Sequence, residues 1–146
     1  MPIQHMTPVE AKELLDHDPD AVYLDVRSVP EFLAGHPEHA INIPLLHRGP
    51  IGMSPNPDFE RVCLGVLPKE KKLLIGCQVG GRSLKACMIL EQKGYTQLHN
   101  VCGGFGGGQH PETGEPVAGW QASGLPVSTD NGEGVGYESL ERRSKG

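Results

Sequence analysis

Residues 72–77, KLLIGC, form an almost wholly apolar run. A strand with one wet face alternates apolar and polar residues, so a run like this belongs in the middle of a sheet covered on both sides. Around it, short β-rich runs alternate with capped helical segments. AVYLDV (21–26), AINIP (40–44) and QLHNVCGG (97–104) read as further strands; Pro44 stops the second, and the last enters a glycine-rich loop. In TPVEAKELL, Thr7 is an N-cap, Pro8 takes the first helical position and Glu10 closes a capping box. Ser28 and Glu31 repeat that box before a short helix near residues 30–34. Asn56 and Pro57 open a third helix, with Phe59, Val62, Cys63 and Val66 on its apolar face. A fourth helix is expected over residues 83–93, ended by Gly94. Strands alternating with helices imply an α/β fold with a mainly parallel central sheet and helices on both faces.

The chain has 146 residues, the size of one domain with a real core. That domain is expected over residues 1–127, with 128–146 as a polar, mobile tail. Residues 105–127 read as a long loop with a helical turn around Trp120. The net charge is -5 with both signs interspersed, which gives no electrostatic footprint for nucleic acid. No apolar run approaches bilayer length, which argues against a membrane partner. The N-terminal residues lack a basic region followed by an apolar stretch and a cleavage site, so a cytoplasmic location is expected. Cys63, Cys77, Cys87 and Cys102 show no C-x-x-C spacing and are expected to be reduced thiols. GGFGGG lacks the G-x-G-x-x-G spacing of a dinucleotide site. His36 and His39 have no further ligands to complete a zinc set.

In parallel sheets, sites form at the carboxyl ends of strands, and Cys77 sits at such an end. Gln78, Val79, Gly80, Gly81, Arg82 and Ser83 follow it and lead into a helix. Gly80 and Gly81 can adopt positive φ and carry no side chains, so neighbouring backbone N–H groups can converge on one point. The helix start adds partial positive charge, and Arg82 adds a fixed one. This is a cradle for an anion at or on sulfur, where a bare structural turn is the plainer alternative. Cys63 and Cys87 fall on apolar helical faces and read as core. Cys102 reads as a small buried residue, with a resolving thiol as its alternative role. Asp25 ends an apolar strand, where an unpaired carboxylate would be costly, so it needs a partner.

CQVGGRS resembles the active-site loop of single-domain rhodaneses, C-x-x-G-x-R-S. YLDVRSVPEFLAGHPEHAINIP (23–44) resembles the family's other signature, and GYTQLHNVCGG with WQASGLPV resembles its closing segment. The resemblance implies a rhodanese fold and sulfurtransferase activity with no metal or organic cofactor. It makes Cys77 the nucleophile that takes sulfur from a donor such as thiosulfate, forming a persulfide. A small acceptor such as cyanide or a thiol, or an acceptor protein, then removes it. Residues 78–83 become the substrate-binding loop, and Asp25, Arg27 and Glu31 become supporting residues. Asp25 would then pair with Arg27 or Arg82, and Arg82 either braces the loop through a carboxylate or meets the donor. Ser83 is a structural hydroxyl or a loop donor, and His36 packs the loop. Phosphatases of the protein-tyrosine type use Cys-x5-Arg, whereas four residues separate Cys77 from Arg82. A phosphatase or arsenate reductase is therefore disfavoured, and a non-catalytic rhodanese module or sulfur-relay protein is the main alternative. Pro37, His39 and the long 104–120 segment depart from the family pattern, and that segment together with residues 45–57 is a candidate roof over the pocket that would set donor access.

Overall fold

A computed structural model describes residues 3–145. In chain order the elements are β1 (Gln4–Met6), α1 (Pro8–His17), β2 (Val22–Asp25), α2 (Val29–Ala34), β3 (His36–Pro37) and β4 (Ile41–Asn42). They continue with β5 (Leu46–Gly49), β6 (Gly52–Pro55), α3 (Phe59–Val66), β7 (Lys72–Gly76), α4 (Gly81–Gln92) and β8 (Gln97–Val101). The last are β9 (Gly108–Gln109), β10 (Pro116–Val117), β11 (Val127–Ser128) and α5 (Tyr137–Lys145). Five strands form one sheet in the order β1-β8-β7-β2-β4, and every pairing in it is parallel. The α/β architecture with a parallel central sheet is thus as expected.

The burial of β7 explains its unbroken apolar run. Leu73 and Ile75 join Val62 and Cys63 of α3, Ala86 and Leu90 of α4, and Leu140 of α5 on one face. Leu74 joins Ala11 of α1, Tyr23, Phe32 and Trp120 on the other. Both faces being covered, neither register position tolerates a polar residue.

Helix α1 starts as the sequence predicts: Thr7 Oγ1 accepts from the Glu10 N–H, and Glu10 Oε1 accepts from the Thr7 N–H, at 3.2 and 2.9 Å. Helix α3 starts later than expected. Asn56 accepts from the Asp58 N–H at 2.9 Å and makes a turn, so the helix opens at Phe59 and leaves Pro57 outside. Residues 45–57 contain the hairpin β5–β6, and the 105–127 segment contains the small ladder β9–β10.

The expected mobile tail is a correction. Over 137–145 it is helix α5, which packs on α3 with Leu140 only 3% exposed. Tyr137 Oη accepts from Asn56 Nδ2 at 3.2 Å, and Arg61 pairs with Glu141 at 2.9 Å. A Cβ at Gly65 would lie 2.8 Å from the Ser144 Cβ, so the missing side chain lets the two helices cross closely. The Val135 carbonyl accepts from the Asn42 N–H at 2.9 Å, covering the β4 edge.

Candidate active site

Strand β7 ends at Gly76 in register with Asp25 at the end of β2, and the chain then turns through residues 77–80 into α4. Gly80 has φ +120°, a conformation that favours glycine, and it turns its N–H onto Cys77 Sγ at 3.0 Å. The Ser83 N–H donates to the same sulfur at 3.3 Å. Both lie at the start of α4, where N–H groups have no intrahelical acceptor. The sulfur therefore lies in a nest of backbone donors, a geometry that stabilises negative charge on it or on an atom bound to it. Cys77 is 1% exposed, and in the resting form its thiol reaches Ser83 Oγ at 3.5 Å. Ser83 Oγ in turn donates to Asn100 Oδ1 at 2.6 Å, which fixes the hydroxyl from β8.

The two arginines have separate partners. Arg82 donates twice to Glu31, Nη1 to Oε1 at 2.8 Å and Nη2 to Oε2 at 3.0 Å, so it braces the loop against α2. Burial opposes ionising Glu31, but its hydrogen bonds from Arg82 and Ser28 outweigh that and hold the carboxyl down at about 2. Asp25 pairs with Arg27 at 2.8 Å, both side chains being almost completely buried. Arg27 also donates to the Gly35 carbonyl at 2.7 Å and to Gln78 Oε1 at 3.2 Å, and its guanidinium lies 4.4 Å from the Phe105 ring centroid. Gln78 is thereby turned onto Arg27, while Val79 is 60% exposed on the rim. Gly81 opens α4. His36 stacks on Phe32 and bonds its carbonyl through Nδ1 at 2.7 Å, a packing role.

The other thiols are placed differently. Burial pushes Cys63 well above the ordinary thiol range, pushes Cys87 up to about 12, and raises Cys102. Cys102 is 1% exposed and donates to the Met6 carbonyl at 3.1 Å. Among the described residues, Cys77 is the thiol that receives backbone N–H bonds.

Sequence reasoning missed the floor of the loop. The Phe105 and Gly106 N–H groups donate to the Cys77 and Gln78 carbonyls at 2.8 and 2.9 Å. A Cβ at Gly104 would overlap the Cys77 carbonyl, and one at Gly108 would overlap the Val79 carbonyl. The glycine-rich segment thus lies flat against the loop and takes up its carbonyls, which turns its N–H groups inward. Asn100 was also missed. The position of β8 beside β7 was the available signal for both.

The chain matches the rhodanese-like domain family over residues 7–110 and belongs to that family. It is 38% identical over 105 residues to thiosulfate sulfurtransferase 16, chloroplastic, of Arabidopsis thaliana, covering 72% of this chain and 78% of that one. It is 40% identical over 83 residues to the mitochondrial protein HIGH ARSENIC CONTENT 1 of the same plant, but the match spans only 49% of that protein and 57% of this chain. The crystal structure of Rv0390 from M. tuberculosis superposes with a TM-score of 0.73 at 28% identity, covering 89% of this chain and all of that one. No helix among the described residues is long and apolar enough to cross a membrane.

Proposed function

We propose that this chain is a rhodanese-type sulfurtransferase in which Cys77 carries one sulfur atom as a persulfide. The thiolate attacks the outer sulfur of a sulfane donor, the donor's S–S bond breaks, and the leaving group departs with the electron pair. With thiosulfate the leaving group is sulfite. A thiophilic acceptor, such as cyanide, a thiol or a partner protein, then attacks the outer sulfur and returns Cys77 to thiolate. The observation that carries this reading is the pair of N–H bonds from Gly80 and Ser83 to Sγ. The same nest suits the charged terminal sulfur of a persulfide. Arg82 and Glu31 hold the loop, Asp25 and Arg27 support it from below, and Gln78, Val79 and Gly81 form its outer turn. No step in this cycle calls for a metal or organic cofactor. Incubating the protein with a sulfane donor and weighing it intact tests the reading. The expected result is one added sulfur atom, absent in Cys77→Ser. No adduct with any sulfane donor would sink it. Turnover of small acceptors separates an enzyme from a relay protein, which would form the persulfide and pass it to one protein only.

A further inference from the structure

A relay of hydrogen bonds runs from Cys77 through α4 and β8 to the edge strand β1. The Cys77 thiol reaches Ser83 Oγ at 3.5 Å, Ser83 Oγ donates to Asn100 Oδ1 at 2.6 Å, and Asn100 Nδ2 bonds His5 Nδ1 at 3.2 Å. His5 and Asn100 stand opposite one another in the parallel β1–β8 ladder, which puts both side chains on one face of the sheet. Ser83 and Asn100 are completely buried, whereas His5 is half-buried and within reach of protons from water. A carboxamide has a donor end and an acceptor end, and a hydroxyl has one proton, so the direction set at His5 fixes the direction at Cys77. With neutral His5, Nδ1 accepts from Asn100 Nδ2, Asn100 Oδ1 takes the Ser83 proton, and Ser83 Oγ turns a lone pair towards the sulfur. That arrangement suits the thiol, whose proton it accepts. It does not suit a thiolate or a persulfide, which is then held by the Gly80 and Ser83 N–H groups alone. Protonated His5 is a donor at both ring nitrogens, so Asn100 must present Oδ1 to His5 and Nδ2 to Ser83. The released Ser83 hydroxyl has two acceptors, the Gly80 carbonyl at 3.0 Å and the sulfur, and an anionic sulfur is the stronger.

We infer that His5 and Asn100 are positioning residues for the reaction at Cys77, and that a proton on His5 turns the relay so that Ser83 gives a third hydrogen bond to the anionic sulfur. The inference rests on the sulfurtransfer reading above. The proton enters at His5 Nδ1 from water, the Asn100 amide rotates by half a turn, and no bond between heavy atoms forms or breaks. The titratable groups on the elements around His5 stand outside the relay. The His110 ring meets the His5 ring edge-on, 5.8 Å between centroids. Glu10 is held by the Thr7 N–H, Cys102 donates to the Met6 carbonyl, and Arg82 is taken by Glu31. His99, one step along β8, lies on the opposite face of the sheet.

The test follows sulfur loading of the full chain by thiosulfate between about pH 5 and 8, the range in which imidazoles ordinarily change charge, with initial rates read by intact mass. His5→Gln keeps a hydrogen-bond partner for Asn100 but cannot change charge. The ratio of the unmodified rate to the His5→Gln rate is expected to fall about tenfold from the acid to the alkaline end, the scale of one hydrogen bond to a charged group. His5→Phe, an apolar ring of similar size, gives the same fall and serves as the second variant should glutamine disturb the strand. In Ser83→Ala, which has no hydroxyl to turn, adding His5→Gln leaves the ratio flat. A flat ratio with Ser83 in place overturns the inference and leaves His5 as a support for the strand. A fall that persists in Ser83→Ala also overturns it, since a charge acting through space needs no hydroxyl. Alkylation of Cys77 by iodoacetamide over the same range reads the sulfur without sulfur transfer. The expected fall there, with no sulfur loaded from any sulfane donor, would end the sulfurtransfer reading and leave the relay standing; loading with a flat ratio would do the reverse.

Discussion

Gly104 faces the Cys77 carbonyl so closely that even one methyl group does not fit between them. Its φ of +50° adds a conformation that side chains rarely adopt. Gly104→Ala should cost about 1–3 kcal/mol by overpacking. It should also cut sulfur loading of Cys77 severely, because the loop must shift for the new atom. Intact mass after timed exposure to a donor measures the second effect, and loading at the normal rate would show that the floor does not set the cradle. Glu31 gives a pH signature. Its carboxyl sits at about 2 in the folded protein against an ordinary 4.5, so between those values the unfolded chain binds more protons. The stability it contributes is fully present above pH 4.5 and is lost as pH falls towards 2. Denaturation midpoints over that window should fall with acid in the unmodified protein and flatten in Glu31→Gln; equal slopes would show that Arg82 does not hold the carboxyl. At this scale the loop was legible, because a cysteine, two glycines and an arginine within six residues act on one another locally. The partner of Arg82 was not legible. Choosing between Asp25 and Glu31 depends on where α2 sits, and the role of Gly104 depends on a carbonyl 27 residues away in the chain.

Among the elements, four of the five central strands were easy to read, whereas β1, the short strands of the small ladders and α5 were not. The central strand declares itself by an apolar run, and α1 by a complete capping box. Segment 137–145 holds two apolar side chains, Tyr137 and Leu140, among five charged ones. Their three-residue spacing was drowned by charge, so the segment looked like a solvated tail. What folds it is tertiary: Leu140 completes the core under α3, and Gly65 lets the helices approach. Leu140→Ala should therefore destabilise the protein by about 2–5 kcal/mol, the range for emptying a buried leucine site. Glu138→Ala, on the exposed side of the same helix, should stay within about 0.5 kcal/mol. Denaturant unfolding of the two variants separates a core helix from a tail; equal midpoints would return α5 to the tail that its composition suggests. Helix starts were misplaced by two residues at α3 and α4. Asn56 caps a turn there, and Gly80 does not need a side-chain cap.

Across the whole molecule, Arg27 binds together segments that are far apart in sequence. It meets Asp25 at the end of β2, the Gly35 carbonyl after α2, Gln78 in the cysteine loop and the Phe105 ring in the glycine-rich segment. Asn42, at the end of β4, donates to the Asp25 and Arg27 carbonyls at 3.0 and 2.9 Å and holds the same corner from the other side. An ion pair this deep does not by itself imply stability, because desolvating two charges offsets their attraction. Removing one partner is a different matter. Arg27→Ala strands a buried carboxylate and should cost about 3–5 kcal/mol. Replacing both, as Asp25→Leu with Arg27→Met, should recover most of that loss, since two apolar side chains of similar volume need no counter-charge. It should not recover sulfur loading, because methionine cannot hold Gln78 or the Gly35 carbonyl. Denaturant midpoints and intact mass of the single and double variants decide the point. A double variant that is stable yet slow to load gives Arg27 the role of positioning the loop, whereas one that is stable and fully active reduces the pair to packing.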